Sequence, residues 1–302
     1  MEFRYIDYRT EHIIPKEKYF LYLEEKATIN RINLFSAIAE AQSGHPGGSL
    51  SAADILTALY SYKEKEDRFV LSAGHKAPIY YATLAAEGYF ETSKLRELRK
   101  IGGLDGHPSP MAGVQVPTGS LGQGLSMANG IALALRIKKE NSKVYVLLGD
   151  GELQEGQIWE AAMFASHYKL SNVIAMVDQN GLQIDGSNDD VMKVYPIKKK
   201  FESFGWNVIG EDIQWSERNE NMYLNGHDME AILRFFEIAN ESEKNNKPTA
   251  IIFNTTKGKG VKQLENKVES HGTPPNYVQY DEWIKELEKC LDAVRNKYVQ
   301  QK

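Results

Sequence analysis

The chain has 302 residues, of which 42% are apolar and 25% are charged, and its formal net charge is −5. This composition is typical of a soluble globular protein, and the acidic balance with scattered lysines and arginines argues against nucleic acid or a membrane as partner. No apolar run approaches the roughly 20 residues of a membrane helix, and the lone Cys290 excludes a disulfide framework and favours a cytoplasmic location.

Helices and strands are predicted to alternate along the chain. Apolar spacing predicts a first helix over 16–41, which breaks at the sequence SGHPGG. The next elements, in order, are helix 51–62, strand 68–72, helices 78–87 and 93–100, a Gly/Pro-rich loop over 101–118, helix 121–139, strand 144–148, helix 157–168, strand 173–177, helix 197–204, strand 206–209, helix 229–239, strand 249–254 and helix 282–299.

The predicted strands define the fold class. Those at 144–148, 173–177 and 249–253 are continuous apolar runs, which is typical of a parallel sheet covered by helices on both faces. We therefore expect a three-layer α/β fold. No repeat or linker divides the chain, so we expect a single domain over 1–302, with an N-terminal helical lead (1–25) and a C-terminal helix within 280–302.

Asp150 follows the strand at 144–148 directly, within the sequence LLGDGELQEG. Asn180 follows the next strand, one strand–helix–strand unit later, so both side chains should reach the same edge of the sheet. Their oxygens, with a main-chain carbonyl, form a set that suits Mg²⁺ or Ca²⁺ rather than zinc. Because Mg²⁺ usually completes its shell with water and phosphate oxygens, these residues indicate a phosphorylated cofactor.

A glycine-rich stretch, TGSLGQGLS, begins the helix predicted at 121–139. Its main-chain N–H groups at a helix start would form an anion site. The alternative is that the glycines serve close packing only. A dinucleotide fingerprint is excluded because the third glycine after Gly149 and Gly151 is Gly156, two places too late, and Glu152 and Glu155 would face a pyrophosphate.

Five of the seven histidines adjoin a glycine, which places them on loops: His45, His75, His107, His227 and His271. They are either turn residues that cap nearby carbonyls or a cluster of polar groups around one pocket.

Five sequence blocks, in this order, resemble the transketolase family: SGHPGGSLSAADIL, RFVLSAGHKAPIYYATL, GHPSPMAGVQVPTGSLGQGLSMANGIALA, GDGELQEGQIWEAA and NGLQIDG. The resemblance extends over roughly residues 20–280 and is closest to the N-terminal half that forms a separate chain in split transketolases. It implies the thiamine-diphosphate-binding fold of a PP-type (diphosphate-binding) domain. The implied activity is transfer of a two-carbon ketol unit from a ketose or ketose phosphate to an aldose or aldose phosphate.

The resemblance also implies roles for individual residues. Mg²⁺, or Ca²⁺ or Mn²⁺ in its place, would be bound by Asp150, Asn180 and the main-chain oxygen of Leu182. The cofactor would be bound by His75, Gly119, Leu121, Gly151, Glu155 and Lys257. Glu155, together with Glu160, is also placed in a carboxylate network at the dimer interface. The catalytic histidines would be His45, His107 and His271. The resemblance assigns no such role to His227, in NGHD, which we expect to hold a turn.

Two of these assignments have simpler alternatives. Lys257 could be an ordinary exposed lysine, and Glu155 could be placed by the helix dipole alone. In the family, activation needs a glutamate of a pyrimidine-binding domain, and we expect the pyrimidine-binding and C-terminal domains to be absent from this chain. The resemblance therefore implies that a separate partner subunit joins this chain in an α2β2 assembly.

Two further functions remain open. The chain departs from the family pattern at residues 211–224, EDIQWSERNENMYL, which is either a tolerated surface loop or a segment that reshapes the site or touches the partner. It is the observation that would favour an enzyme of a specialised sugar or biosynthetic pathway. A non-catalytic cofactor-binding or regulatory subunit is the other alternative, against which the Asp150/Asn180 pair and the loop histidines count.

Overall fold

Five parallel strands form the centre of the molecule. The structure, a computed structural model, describes residues 18–219 and 221–300, so the predicted lead up to residue 17 lies outside the described residues. The strand order is β1-β2-β3-β5-β4, and neighbouring strands end at nearly the same level of the sheet. The strands are β1 (Arg68–Leu71), β2 (Val144–Gly149), β3 (Val173–Gln179), β4 (Asn207–Ile209) and β5 (Thr249–Asn254).

Helices cover both faces of this sheet, which confirms the predicted three-layer α/β fold. Successive strand residues point to opposite faces, so Tyr145 and Leu147 lie in one apolar core and Val144 and Val146 in the other. The helices are α1 (Tyr19–Ala41), α2 (Pro46–Ser51), α3 (Ala53–Tyr62), α4 (Ala77–Ala86), α5 (Gly124–Ile137), α6 (Gly156–His167), α7 (Ile197–Ser203), α8 (Met229–Ser242) and α9 (Tyr277–Gln300).

The two helical layers contain different numbers of helices. Helices α1, α3, α4, α8 and α9 pack on one face of the sheet, and α5, α6 and α7 on the other. Helix α9 is held on α1 by a hydrogen bond of 2.8 Å between the hydroxyls of Ser36 and Tyr280 and by Arg295, whose Nε donates to Glu25 at 2.7 Å. Within the described residues, no helix is both long and apolar enough to cross a membrane.

Several predicted elements differ from the structure. The predicted break at SGHPGG is wrong from Pro46 onward, because Pro46 starts α2, where its fixed φ suits a first helical position. The helix predicted at 121–139 begins only at Gly124, since Gly122 has a φ of +85°, which α-helix excludes. In place of the α-helix predicted over 93–100, the chain forms a short 3-10 helix, Thr92–Glu97.

Candidate functional site

The carboxyl edge of the sheet carries the predicted polar residues. Asp150 follows β2, Asn180 and Leu182 follow β3, and Lys257 lies three residues after β5. All four are nearly buried, with exposed fractions between 1% and 4%. Since parallel strands end together at one edge, three chain segments far apart in sequence converge there.

The side chain of Asp150 joins two of these segments. Its Oδ1 accepts the N–H of Gly151 at 2.9 Å, and its Oδ2 accepts the N–H of Gly181 at 2.6 Å. The Oδ1 of Asn180 accepts the N–H of Leu182 at 3.1 Å. Burial raises the pKa of Asp150, and the hydrogen bond from Gly181 opposes that rise.

These oxygens could hold a hard cation. A carboxylate oxygen accepts more than one hydrogen bond or metal contact, so Asp150 and Asn180 keep acceptor capacity. Among residues 18–219 and 221–300, no three or more His, Cys, Asp and Glu side chains form a group that could hold a metal ion. A cation here would therefore depend on amide and main-chain oxygens and on oxygens from a ligand.

Four of the loop histidines form one cluster beside these residues. The ring centre of His45 lies 5.4 Å from that of His75, 6.3 Å from that of His107 and 5.5 Å from that of His271. The rings of His75 and His271 are stacked with centres 5.1 Å apart. Of the two interpretations, separate turn residues or one cluster of polar groups, these distances fit the cluster for these four.

The cluster is electrostatically biased towards neutral imidazoles. Burial lowers the pKa of His45 to about 4, with Arg99 as the next cause. Burial and the Lys257 ammonium lower the pKa of His271 to about 3. Burial, followed by Lys76, holds the pKa of His75 well below its usual value, and burial followed by Arg99 lowers that of His107. At neutral pH the four rings therefore act as neutral donors and acceptors.

These shifts predict a loss of stability in mild acid. Unfolded histidine titrates near pH 6.5, but folded His45 titrates at about 4, so the unfolded chain binds more protons between these values. The free energy of unfolding should fall as pH is lowered through this window, by up to about 1.4 kcal/mol per pH unit for each such histidine. Chemical denaturation between pH 7 and pH 4.5 measures the slope.

His45→Asn should reduce that slope, whereas His167→Asn, at an exposed residue near the end of α6, should not. An identical slope in His45→Asn and the unchanged chain would contradict the prediction.

Lys257 is buried rather than exposed, which excludes the simpler alternative for it. Its Nζ donates to the main-chain oxygens of Leu182 at 3.3 Å and Gln183 at 3.1 Å, and it lies 3.0 Å from Nδ1 of His271. Burial lowers its pKa to about 8, although Asp150 opposes this. Lys257 thus places a cation between the histidine cluster and the loop after β3.

The glycine-rich stretch serves packing at two of its glycines. The N–H of Gly122 donates to Oε1 of Glu152 at 2.9 Å, and that of Gly124 to Oγ of Ser72 at 3.2 Å. A Cβ on Gly124 would lie 2.4 Å from Cβ of Ser72. At these two positions the packing alternative is therefore correct, and only the part around Gly119 and Leu121 remains for a ligand.

Gly119 lies beside the histidine cluster. A Cβ on Gly119 would meet the ring of His107 at 3.5 Å, and a Cβ on Gly74 would lie 2.9 Å from the Gly119 nitrogen. The turn that carries His75 and the glycine loop thus touch backbone to backbone.

Two positioning groups were missed by the sequence reasoning. Glu152 does not face outward: its carboxylate accepts hydrogen bonds from the Ser72 hydroxyl and from the N–H groups of Gly122 and Gly149, the last at 3.0 Å. Asp178, inside β3, accepts hydrogen bonds from Lys76, Ser51 and Thr255. For Asp178, the sequence did offer a signal, namely a carboxylate within an otherwise apolar strand.

Three further predicted residues lie outside the cluster. Glu155 is exposed at the N-cap of α6 with no capping hydrogen bond from its side chain, and Glu160 is exposed on the same helix. His227 bridges two segments, since its Nδ1 lies 2.7 Å from Asp54 and its Nε2 accepts the N–H of Thr256 at 2.7 Å. This geometry agrees with the structural role expected for His227.

Comparison with known proteins gives one family. Residues 24–287 match the model of the transketolase, thiamine diphosphate binding domain. The chain is 37% identical over 284 residues to one of the subunits of the apulose-4-phosphate transketolase of Phocaeicola vulgatus, covering 90% of this chain and 96% of that one. It is 37% identical over 280 residues to a 6-deoxy-6-sulfo-D-fructose transketolase subunit of a Clostridium species, covering 88% and 96%.

Longer relatives match over part of their length. Human transketolase is 39% identical over 291 residues, which are 90% of this chain but 43% of the human protein. The crystal structure of transketolase from Campylobacter jejuni superposes with a TM-score of 0.78 at 33% identity, covering 89% of this chain and 42% of that one. The chain thus spans nearly all of two relatives named as subunits and less than half of these two longer transketolases.

Proposed function

Because the chain belongs to the transketolase family, we propose that it is the thiamine-diphosphate- and Mg²⁺-binding subunit of a two-subunit transketolase. Together with its partner it transfers a two-carbon ketol unit from a ketose to an aldose. The observation that carries the proposal is the convergence of Asp150, Asn180, Lys257 and four histidines at one edge of the sheet.

The residues present fit the cofactor. Beside Gly151, the buried side-chain amides of Gln183 and Asn188 retain atoms that make no hydrogen bond within the described part of the chain. A Cβ at residue 151 would lie 3.2 Å from Gln183, so glycine leaves the space between them open. Unused polar atoms around an open glycine, next to a buried ammonium, suit a diphosphate.

One set of the chain's residues would bind the metal ion and the diphosphate. Asp150, Asn180 and the oxygen of Leu182 would hold Mg²⁺, while Lys257, His75, Gly119, Leu121 and Gly151 would hold the diphosphate side. When bound, thiamine diphosphate supplies the thiazolium carbon that takes up and releases the ketol unit.

The remaining histidines would face the sugar. A neutral imidazole offers one acceptor nitrogen and one donor N–H, which suits hydroxyls and a carbonyl oxygen. His107 is the exposed member of the cluster, and His45 and His271 lie deeper. We therefore place His107 at the entrance, and His45 and His271 where they accept or return a hydroxyl proton at the reacting end.

A partner subunit is part of the proposal. Relatives of about this chain's length are named as transketolase subunits, whereas the human enzyme carries more than twice the matched length in one chain. Helices α5 and α6 also expose apolar side chains that the described part of the chain does not cover, and α6 carries Glu160 and has Glu155 at its N-cap. The exposed apolar side chains are Met127, Ile137, Met163 and Phe164. We propose that this surface docks the pyrimidine-binding subunit in an α2β2 complex.

The partner requirement is testable by reconstitution. The expected result is ketol transfer and tight thiamine diphosphate binding only when the purified chain is mixed with its candidate partner, because relatives of this length are named as subunits. Calorimetry and a coupled assay of aldose formation measure both. Full ketol transfer by the chain alone would refute the requirement, and cofactor binding by the complex without turnover on any sugar would favour a regulatory subunit.

A specialised sugar substrate is the second candidate. Two subunit relatives are named for apulose 4-phosphate and for 6-deoxy-6-sulfo-D-fructose, and the 211–224 segment departs from the family pattern. A donor panel should therefore contain these two sugars beside xylulose 5-phosphate and fructose 6-phosphate. The ratio of kcat/KM values would rank them.

A further inference from the structure

The 211–224 segment is anchored at the carboxyl ends of the strands. The side-chain amide of Gln179 pairs with Ile213, donating to its oxygen at 2.9 Å and accepting its N–H at 3.2 Å. The Nδ2 of Asn254 donates to the oxygen of Glu211 at 2.8 Å, and Asp212 accepts the N–H of Ile197 at 3.2 Å. The segment is therefore a surface loop that hydrogen bonds tie to the strand ends.

Arg218 bridges two strand ends. Its Nη1 donates to the main-chain oxygen of Thr255 and its Nη2 to that of Gln179, both at 2.6 Å. The same Gln179 oxygen also accepts the N–H of Thr255 at 3.0 Å. Since Gln179 immediately precedes Asn180, Arg218 holds the peptide that leads into the proposed metal loop.

Trp215 covers the next part of that loop. Gly181 has a φ of +81°, and a Cβ on it would lie 2.7 Å from Cε3 of Trp215. The neighbouring Ser216 N–H donates to Oδ2 of Asp189 at 2.9 Å, and the Asn188 N–H donates to the Gly181 oxygen at 2.9 Å. The segment thus contacts the loop on both sides of Gly181.

We infer that Arg218 and Trp215 act as a clamp that positions Asn180 and Leu182 for the metal ion and thereby sets metal affinity. This inference rests on the proposed function. Four other contacts hold residues 180–182: the Gly181 N–H on Asp150, the Asn180–Leu182 hydrogen bond, the Asn188 N–H on the Gly181 oxygen and Lys257 on the Leu182 oxygen. None of these contacts reaches the Gln179 oxygen, which among residues 18–219 and 221–300 is bound by the Thr255 N–H and by Arg218.

Residues that orient metal ligands affect metal affinity for a general energetic reason. A metal ion binds well only if its ligands are already placed, so partners that orient the ligands affect affinity although they do not touch the metal. Arg218 offers a planar fork that matches two carbonyl oxygens at once, which a lysine cannot reproduce.

Mn²⁺ titration followed by electron paramagnetic resonance tests the clamp without relying on turnover. In the reconstituted complex with thiamine diphosphate, Arg218→Met should weaken Mn²⁺ binding by about 10- to 100-fold, the usual effect of removing an outer-shell partner. Arg218→Lys should recover only part of that loss. The matched control is Arg234→Met, at an exposed arginine on α8, which should bind Mn²⁺ as the unchanged complex does.

Trp215→Leu keeps the test valid if Arg218→Met does not fold. This change uncovers Gly181 without removing the carbonyl contacts, and it should also weaken Mn²⁺ binding. If a folded Arg218→Met complex binds Mn²⁺ with unchanged affinity, the clamp is overturned while the proposed function stands. If Arg218→Met does not fold, unchanged Mn²⁺ affinity in Trp215→Leu has the same consequence. If the unchanged complex binds neither Mn²⁺ nor thiamine diphosphate, the proposed function fails first.

Discussion

Replacing Asp150 with alanine is expected to weaken Mg²⁺-dependent binding of thiamine diphosphate by at least about 100-fold, because a direct ligand should contribute more than the outer partners whose loss costs 10- to 100-fold. Asp150 is the one carboxylate among the three proposed ligands, so its loss leaves Mg²⁺ with two neutral oxygens. It also frees the N–H groups of Gly151 and Gly181, which its two oxygens bind. Calorimetric titration of the reconstituted complex measures the effect.

The control for this experiment is Asp292→Ala, at an exposed residue on α9. This variant should bind the cofactor as tightly as the unchanged complex. The melting temperature of each variant without cofactor separates loss of binding from loss of fold. Retained binding in a folded Asp150→Ala complex would remove the metal site from the proposal and leave the diphosphate to Lys257 and the histidines.

The second large effect concerns stability. Asp178→Ala should lower the free energy of unfolding by about 3–5 kcal/mol, the usual cost of removing one partner of a buried ion pair. The Lys76 ammonium, 1% exposed, would remain buried without its hydrogen-bonded counter-charge. The hydroxyls of Ser51 and Thr255 would lose their acceptor. Burial alone would raise the pKa of Asp178, but the Lys76 charge and the hydrogen bonds from Lys76, Ser51 and Thr255 together lower it.

Urea denaturation of the single variant and of the double variant Lys76→Met/Asp178→Leu distinguishes the ion pair from general packing. The double variant removes both charges, so it should be more stable than Asp178→Ala. A loss below about 1 kcal/mol in Asp178→Ala would mean that water or another carboxylate compensates Lys76.

Loss of the Lys76–Asp178 ion pair should also affect the candidate site. Asp178 lies on β3 two residues before Asn180, and Lys76 follows His75 directly. The pair therefore ties the turn of one cluster histidine to the strand that carries a proposed metal ligand. Weakening it should disturb both the histidine cluster and the loop after β3, even in a variant that still folds.

Much of the fold and of the site's location follows from sequence alone. Continuous apolar runs at β2, β3 and β5 predict a covered parallel sheet, and a parallel sheet places all of its strand ends at one edge. Asp150 and Asn180 follow such ends, so their proximity needed no coordinates. The five motif blocks indicated the family. Glycine neighbours indicated that five histidines lie outside the α-helices and strands, and four of these form one cluster.

Other features were decided only by the tertiary structure. The direction of the Glu152 side chain, the Lys76–Asp178 pair and the burial of Lys257 each depend on contacts between segments distant in the chain. The same is true of Arg218, whose partners lie on β3 and just after β5.

The physical reason is the range of the interactions. Periodicity and turn chemistry act over a few neighbouring residues, and they determine where strands end and loops begin. A side chain at a strand end forms hydrogen bonds with the groups that the packed sheet brings within about 3 Å of it. The local sequence contains little information about which groups these will be. The sequence therefore determined which residues reach the edge of the sheet, and the tertiary structure determined which of them form hydrogen bonds and ion pairs with one another.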